Sequence, residues 1–196
     1  MLAKVTKPNQ WSTRQSTSWE DLWVEVISGN RKALSDLYCY SYSHLYKYGY
    51  KIYPDNALVK DGIQELFLNI WDKRQNLSEA KSVKSYLFSS LRRILLRRLQ
   101  KMRNRTKRNH DYNQDSFEQI YNIEELLIHF ETERHKKEQL MVALRALTKR
   151  QKEAIYLKFY SGLSNNEISE VMNLNKQSVY NHISKAISRM QEFIKV

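Results

Sequence analysis

The 196-residue sequence holds four glycines, two prolines and one cysteine. β-Hairpins depend on glycine and proline for their turns, so this scarcity argues against a β-rich fold and for helices joined by short connections. The lone cysteine, Cys39, cannot close an internal disulfide. Its apolar and aromatic neighbours suggest a core filler in a reducing compartment. Long apolar runs are missing as well. The longest, Leu140 to Leu144, has five residues, whereas a membrane-spanning helix needs about 20. Met1 to Trp11 contains no apolar stretch of the kind a secretory signal requires. The expectation is a soluble, cytoplasmic protein.

Clustered metal ligands are lacking too. The histidines His44, His110, His129, His135 and His182 are scattered, and Cys39 has no adjacent ligand. His129 and His135 come closest to a cluster, with Glu131 and Glu133, but a six-residue gap on a helix puts them on different faces. No glycine-rich phosphate loop occurs. The sequence therefore points away from an enzyme, a cofactor and a small-molecule substrate.

The charge balance supplies the positive signal. Thirty-three Lys and Arg face 21 Asp and Glu, a formal charge of +12. Such an excess favours a polyanionic partner. It is concentrated: between Glu79 and Asp111 there is no acidic residue, yet eleven cations run from Lys81 to Arg108. Mutual repulsion along such a helix is tolerable where a phosphate backbone neutralises it. Tyr86 and Phe88 near its start add aromatic rings beside the cationic track, the ingredients of a single-strand binding surface.

Apolar periodicity predicts an all-α fold of two small domains. After a polar tail over 1–16, the first domain spans 17–108. Its helices begin near Ser18, near Lys32, over Ala57 to Arg74, and over Lys84 to Lys107, with Gln75 to Val83 as a loop. The dense tyrosines from Tyr38 to Tyr53 read as core and rim. A linker follows over 109–132, with a short amphipathic piece at Ile123 to Phe130, and the second domain fills 133–196.

In that second domain, Thr148-x-x-Gln151 and Ser164-x-x-Glu167 are capping boxes that open helices. Asn165 to Met172, the turn Asn173-Leu174-Asn175 and a helix from Lys176 form a helix-turn-helix. Val179, Ile183, Ile187 and Met190 are expected inward. The outward face carries Lys176, Gln177, Tyr180, Asn181, Ser184, Lys185 and Arg189, with no acid before Glu192. Amides can read adenine edges, and Lys or Arg can read guanine or phosphate.

The third helix contrasts with this. Asp61, Glu65, Leu68 and Asp72 recur at four-, three- and four-residue spacing, flanked by Gln64 and Trp71. A negative strip with a leucine, on a cationic protein, suggests a protein partner with a basic surface.

Taken together, the motifs resemble a known family. Asp61-x-x-Gln64-Glu65-x-Phe67-x-x-x-Trp71, followed by Ser85-Tyr86-Leu87-Phe88 and an Arg-rich helix, resembles the second domain of sigma-70-type factors. Leu147-Thr148-x-x-Gln151, Gly162-Leu163-Ser164-x-x-Glu167-Ile168 and Ser178-Val179-x-Asn181-His182-Ile183-x-Lys185-Ala186 resemble their fourth domain. Two such domains and a linker are the arrangement of extracytoplasmic-function sigma factors, and the wording is similar to the iron-citrate-uptake type common in Bacteroidetes. The resemblance implies that Asp61, Gln64, Glu65, Leu68 and Trp71 meet the clamp helices of the polymerase largest subunit. It implies that Asn76, Ser78, Lys81, Lys84, Ser85, Tyr86, Arg92, Arg93 and Arg97 hold the melted minus-10 element. It implies that Lys176, Gln177, Ser178, Tyr180, Asn181, Ser184, Lys185 and Arg189 read the minus-35 duplex. Further implied partners are the polymerase flap and a membrane-bound anti-sigma protein. Family members often carry Arg-Asn in the basic helix, where this chain reads Leu91-Arg92-Arg93-Ile94. The competing reading is a helix-turn-helix regulator that acts without polymerase.

Overall fold

A computed structural model describes residues 18–109 and 134–194. The tail, the linker and the amphipathic piece expected at Ile123 to Phe130 lie outside the described residues. Those described are helical, with no strand among them, as the periodicity predicts.

The first lobe contains α1 (Trp19–Ile27), α2 (Arg31–Ile52), α3 (Asn56–Lys73) and α4 (Val83–Asn109). Each short connection is explained locally. Ser18 and Asp21 form a reciprocal capping box at the start of α1. Gly29, at φ 95°, takes the left-handed turn after α1. The Asn30 and Asp55 side chains accept the first free N–H groups of α2 and α3. Trp23, Leu45, Tyr48, Ile63, Leu91 and Leu95 fill the centre. The helices approach closely at two glycines. A Cβ at Gly49 would stand 2.8 Å from Val59 Cγ1, and one at Gly62 would stand 2.9 Å from Leu95 Cδ2.

Cys39 is exposed, which corrects its expected core position. The buried line of α2 runs through Ala33, Leu37, Ser41, Leu45 and Tyr48. Cys39 lies two residues from both Leu37 and Ser41, about 200° around the helix, and so faces away. The loop expected over Gln75 to Val83 opens with a 3₁₀ turn, Arg74–Asn76, and Val83 already belongs to α4.

The second lobe contains α5 (Arg134–Arg145), α6 (Lys149–Ile155), α7 (Asn165–Met172) and α8 (Lys176–Ile194). Both expected capping boxes are formed. A π turn over Tyr156–Tyr160 prolongs α6, and Gly162 reverses the chain at φ 67°. Asn173 closes α7 in the left-handed conformation, which asparagine tolerates. On α8, Val179, Ile183 and Ala186 are buried and Met190 is partly buried, but Ile187 is 36% exposed. The buried seam passes through Ala186, three residues after Ile183, and leaves Ile187 at its edge.

The two lobes share one continuous core. Helix α4 packs against α7, and the α2 ring Tyr48 lies parallel to Tyr156 of the π turn at 6.1 Å.

Candidate nucleic-acid interface

Three surfaces carry the expected residues. The first is the outer side of α3. Asp61, Gln64 and Leu68 are exposed there, Leu68 at 56%. The Trp71 ring lies under the Arg74 guanidinium at 4.2 Å, with Arg31 at 5.8 Å, in a cation–π arrangement. Beside them an open groove of about 520 Å³ is floored by Tyr38, Phe67 and Leu68 and rimmed by Arg31 and Lys60. The α2 tyrosines Tyr42, Tyr46 and Tyr50 stack one turn apart, at 5.9 and 6.1 Å. They form a rim ladder, while Tyr48 alone among the tyrosines of α2 is buried.

Two carboxylates of this strip, Glu65 and Asp61, face the arginines of α4. Glu65 Oε2 accepts from Arg98 Nη2 at 2.6 Å and Nε at 2.9 Å, and Oε1 accepts from Arg97 Nη2 at 3.2 Å. Asp61 lies 3.7 Å from Arg98. Two cations of the acid-free span, Arg97 and Arg98, therefore have counter-charges contributed by another element. Sequence distance hides this, since the partners are more than thirty residues apart.

The second surface is α4 with the loop before it. Asn76, Ser78 and Lys81 are exposed on the loop, which is pinned where Trp23 Nε1 donates to the Ser78 carbonyl at 3.3 Å. Tyr86 is partly buried and packs on Trp23, with centroids 5.0 Å apart. Arg93 is exposed and reaches Ser90 at 3.2 Å. Between α3 and α4 lies a cavity of about 300 Å³, lined in part by Asn69, Lys73, Tyr86, Ser90, Arg93 and Arg97. Asn69, Lys73 and Ser90 were not expected from sequence. Only helical spacing, Asn69 with Lys73 four residues on and Ser90 with Arg93 three residues on, could have suggested them.

The rest of this surface faces the second lobe. Ser85 is buried, and its hydroxyl donates to Glu170 at 3.1 Å and to the Glu167 carbonyl at 3.3 Å. Ser82 donates to the Glu167 carboxylate. Burial raises the Glu167 pKa, but hydrogen bonds from Ser164 and Ser82 and the charge of Lys84 outweigh it, and the net shift is downward. Burial likewise pulls the Lys84 ammonium down, opposed by Glu167. Arg92 Nε donates to Glu153 at 2.8 Å. Of the nine residues expected to hold melted DNA, Lys84, Ser85 and Arg92 thus lie at the interlobe contact.

The third surface is α8. Lys176, Gln177, Tyr180, Asn181, Ser184, Lys185 and Arg189 are all exposed, and Ser178 is half-buried with its N–H bonded to Asn175 Oδ1 at 2.7 Å. Gln177 Nε2 donates to Asn181 Oδ1 at 3.1 Å, so the two amides stand side by side near the start of the helix. Among the described residues no group of His, Cys, Asp and Glu could hold a metal ion. No described helix is long and apolar enough to cross a membrane.

Residues 37–106 match sigma-70 region 2, and residues 137–190 match sigma-70 region 4. The chain belongs to the sigma-70 family. It is an RNA polymerase sigma factor whose matched regions are the two expected of the extracytoplasmic-function type. Two solved structures share its fold. CnrH, in complex with the cytosolic domain of CnrY, is 17% identical with a TM-score of 0.57, over 90% of this chain and 97% of that one. RpoE of Bartonella quintana, in complex with the anti-sigma factor NepR, is 19% identical with a TM-score of 0.58, over 84% and 98%. No curated protein sequence matches this sigma factor.

Proposed function

We propose that this sigma factor joins core RNA polymerase through the α3 strip, holds melted minus-10 DNA on α4 and its preceding loop, and reads minus-35 duplex with α8. In this reading the functional domains are 17–108 and 133–196, joined by 109–132. Asp61, Gln64, Glu65, Leu68 and Trp71 meet the polymerase clamp helices, and the second domain meets the flap. One observation carries the reading: regions 2 and 4 occur on one chain, each with an exposed face suited to its task. Leu68 beside carboxylates suits a basic protein surface, and the acid-free outer face of α8 suits a groove. The cavity holding Tyr86, Arg93 and Arg97 combines a ring with cations, which suits an unstacked base and its phosphate.

The protein performs no bond chemistry of its own in this reading and acts in the cytoplasm. Its motif wording supports the iron-citrate-uptake type. The complexes of CnrH with CnrY and of RpoE with NepR support an anti-sigma protein as a further partner; that it is membrane-bound is what the family resemblance implies. The deciding experiment adds the chain to bacterial core polymerase and scores promoter-dependent transcripts from genomic fragments. Transcripts that require the chain support the reading. DNA binding without core association would instead favour a regulator that works without polymerase.

A further inference from the structure

The acidic strip and the basic helix hold each other, and this joins two surfaces that the functional reading assigns to different partners. We propose that Glu65 serves two partners in turn: in the free chain it holds Arg98 and Arg97, and when polymerase takes the strip those guanidiniums pass to the DNA backbone. The inference rests on the reading of α3 as the polymerase-binding surface.

The geometry is that of an occupied carboxylate. Both Glu65 oxygens accept from α4, Oε2 from two donors of Arg98 and Oε1 from Arg97. Arg98 is also fixed by the Asp61 backbone carbonyl at 3.4 Å and faces the Asp61 carboxylate at 3.7 Å. A carboxylate so engaged shows a basic partner only part of its charge. Conversely, a guanidinium so engaged contributes little to phosphate binding. Whatever binds the strip must compete with α4 for it, and the cations that lose are then unbalanced on a helix already crowded with positive charge.

The exposures favour exchange over permanent fastening. Arg97 is 70% exposed, and Arg98 and Glu65 are each 32% exposed. Ion pairs this accessible are weak and easily replaced, and each freed guanidinium lies at the rim of an open groove. By linkage, polymerase that strengthens DNA binding must itself be bound more tightly in the presence of DNA. Arg98 thereby gains a role that the sequence did not suggest, as a cation of α4 masked by the acidic strip.

The test uses the full chain and a labelled single-stranded deoxyoligonucleotide, titrated over a salt series without polymerase. Glu65→Gln keeps the shape and removes the charge. It should bind the oligonucleotide more tightly, with a log–log salt slope steeper by up to about 1.4, or about 0.7 for each released contact. Arg98→Gln should leave the free chain's oligonucleotide affinity near the unmodified value, because that cation is already masked. It should also tighten association with core polymerase, because Glu65 is released. An unchanged slope in Glu65→Gln, or an Arg98→Gln variant that loses oligonucleotide affinity as Arg93→Gln does, overturns the exchange. If Glu65→Gln does not fold, Arg98→Gln decides alone. Failure of the unmodified chain to bind core polymerase defeats the functional reading instead, and the polymerase-free slopes separate the two failures.

Discussion

The Arg92 guanidinium and the Glu153 carboxylate meet at 2.8 Å across the two lobes, and the Tyr48 hydroxyl donates to the same carboxylate oxygen at 2.8 Å. Glu153 is only 8% exposed and Arg92 21%. A residue expected on the path of melted DNA is therefore tied to the lobe that carries the helix-turn-helix. In the functional reading, Lys84, Ser85 and Arg92 reach melted DNA only after the lobes part there, while the exposed loop residues, Arg93 and Arg97 are accessible without it.

The contact should be sensitive to loss of either partner. Glu153→Ala removes the carboxylate that the buried Tyr48 hydroxyl and the largely buried Arg92 guanidinium share. It should cost about 2 kcal/mol of the closed state, roughly 1 kcal/mol for each hydrogen bond lost across the lobes. Tyr48→Phe removes one hydrogen bond and should cost about 1 kcal/mol. Urea unfolding gives the energies, and small-angle scattering reads the opening. A Glu153→Ala chain as stable and as compact as the original would show that the contact does not hold the lobes.

Reversal of the acidic strip should affect both binding and fold. Asp61→Lys with Glu65→Lys should weaken association with core polymerase, measured by co-purification. Exposed residues alone would make this nearly neutral for stability. The pairs with Arg97 and Arg98 change that, because reversal replaces attraction by repulsion, for a loss of about 1 kcal/mol after allowance for solvent screening. Undiminished binding by a folded double variant would remove the strip from the polymerase interface.

Much of the fold was legible because its signals are local. Capping boxes at Thr148 and Ser164, the turn at Asn173-Leu174-Asn175 and the apolar stripe of α3 each depend on residues within one or two turns. What escaped depends on the assembled structure. Glu65 with Arg98 and Glu153 with Arg92 lie far apart in sequence, and periodicity reports that a residue faces outward without saying what it meets. Cys39 was misjudged because an aromatic neighbourhood in sequence differs from a buried helix face. Ser85 could be placed on α4 from its pattern, but its burial beneath α7 required the second lobe.

The two glycines inside helices predict an unequal pair of substitutions. Alanine improves helix propensity by about 1 kcal/mol over glycine, so an uncrowded site would gain. At Gly49 the new methyl meets Val59 Cγ1 at 2.8 Å, and a β-branched side chain in a helix has little freedom to yield. Gly49→Ala should lose a net ~1–2 kcal/mol. At Gly62 the neighbour is the end of Leu95, a more adaptable side chain, so Gly62→Ala should cost less. Thermal unfolding of both orders them, and the reverse order would refute the packing argument.

Two steps in stability are expected on acidification. Desolvation lowers the His44 pKa, with help from the charges of Lys84 and Lys47, below its ordinary 6.5. The folded state thus binds that proton more weakly than the unfolded state. Stability is full above about 6.5 and falls as pH drops through the interval beneath it. Glu167 is also held below its ordinary value, 4.5, so its contribution is present above that value and lost as pH falls further. His44→Gln should abolish the upper step and Glu167→Gln the lower, in urea titrations run from neutral to acid pH. Persistence of the upper step in His44→Gln would assign it elsewhere.

The recognition helix should divide its residues by task. Gln177 and Asn181 stand one turn apart at the amino-terminal end of α8, joined by their amides at 3.1 Å. That end of a recognition helix enters the major groove, where amides make paired hydrogen bonds to a base edge. Loss of either should cost about 1–3 kcal/mol on the preferred site and relax preference there. Because the amides contact each other, the double alanine variant should cost less than the sum of the single losses. Lys185 and Arg189 lie about one and two turns beyond Asn181, where the helix leaves the groove, and should touch phosphate. Their loss should weaken all sequences alike and reduce the salt slope by about one unit each. Selection from a random duplex pool, run on each alanine variant, compares the classes. A selected sequence that survives Gln177→Ala and Asn181→Ala but shifts with Lys185→Ala would invert the assignment and move base reading to the middle of α8.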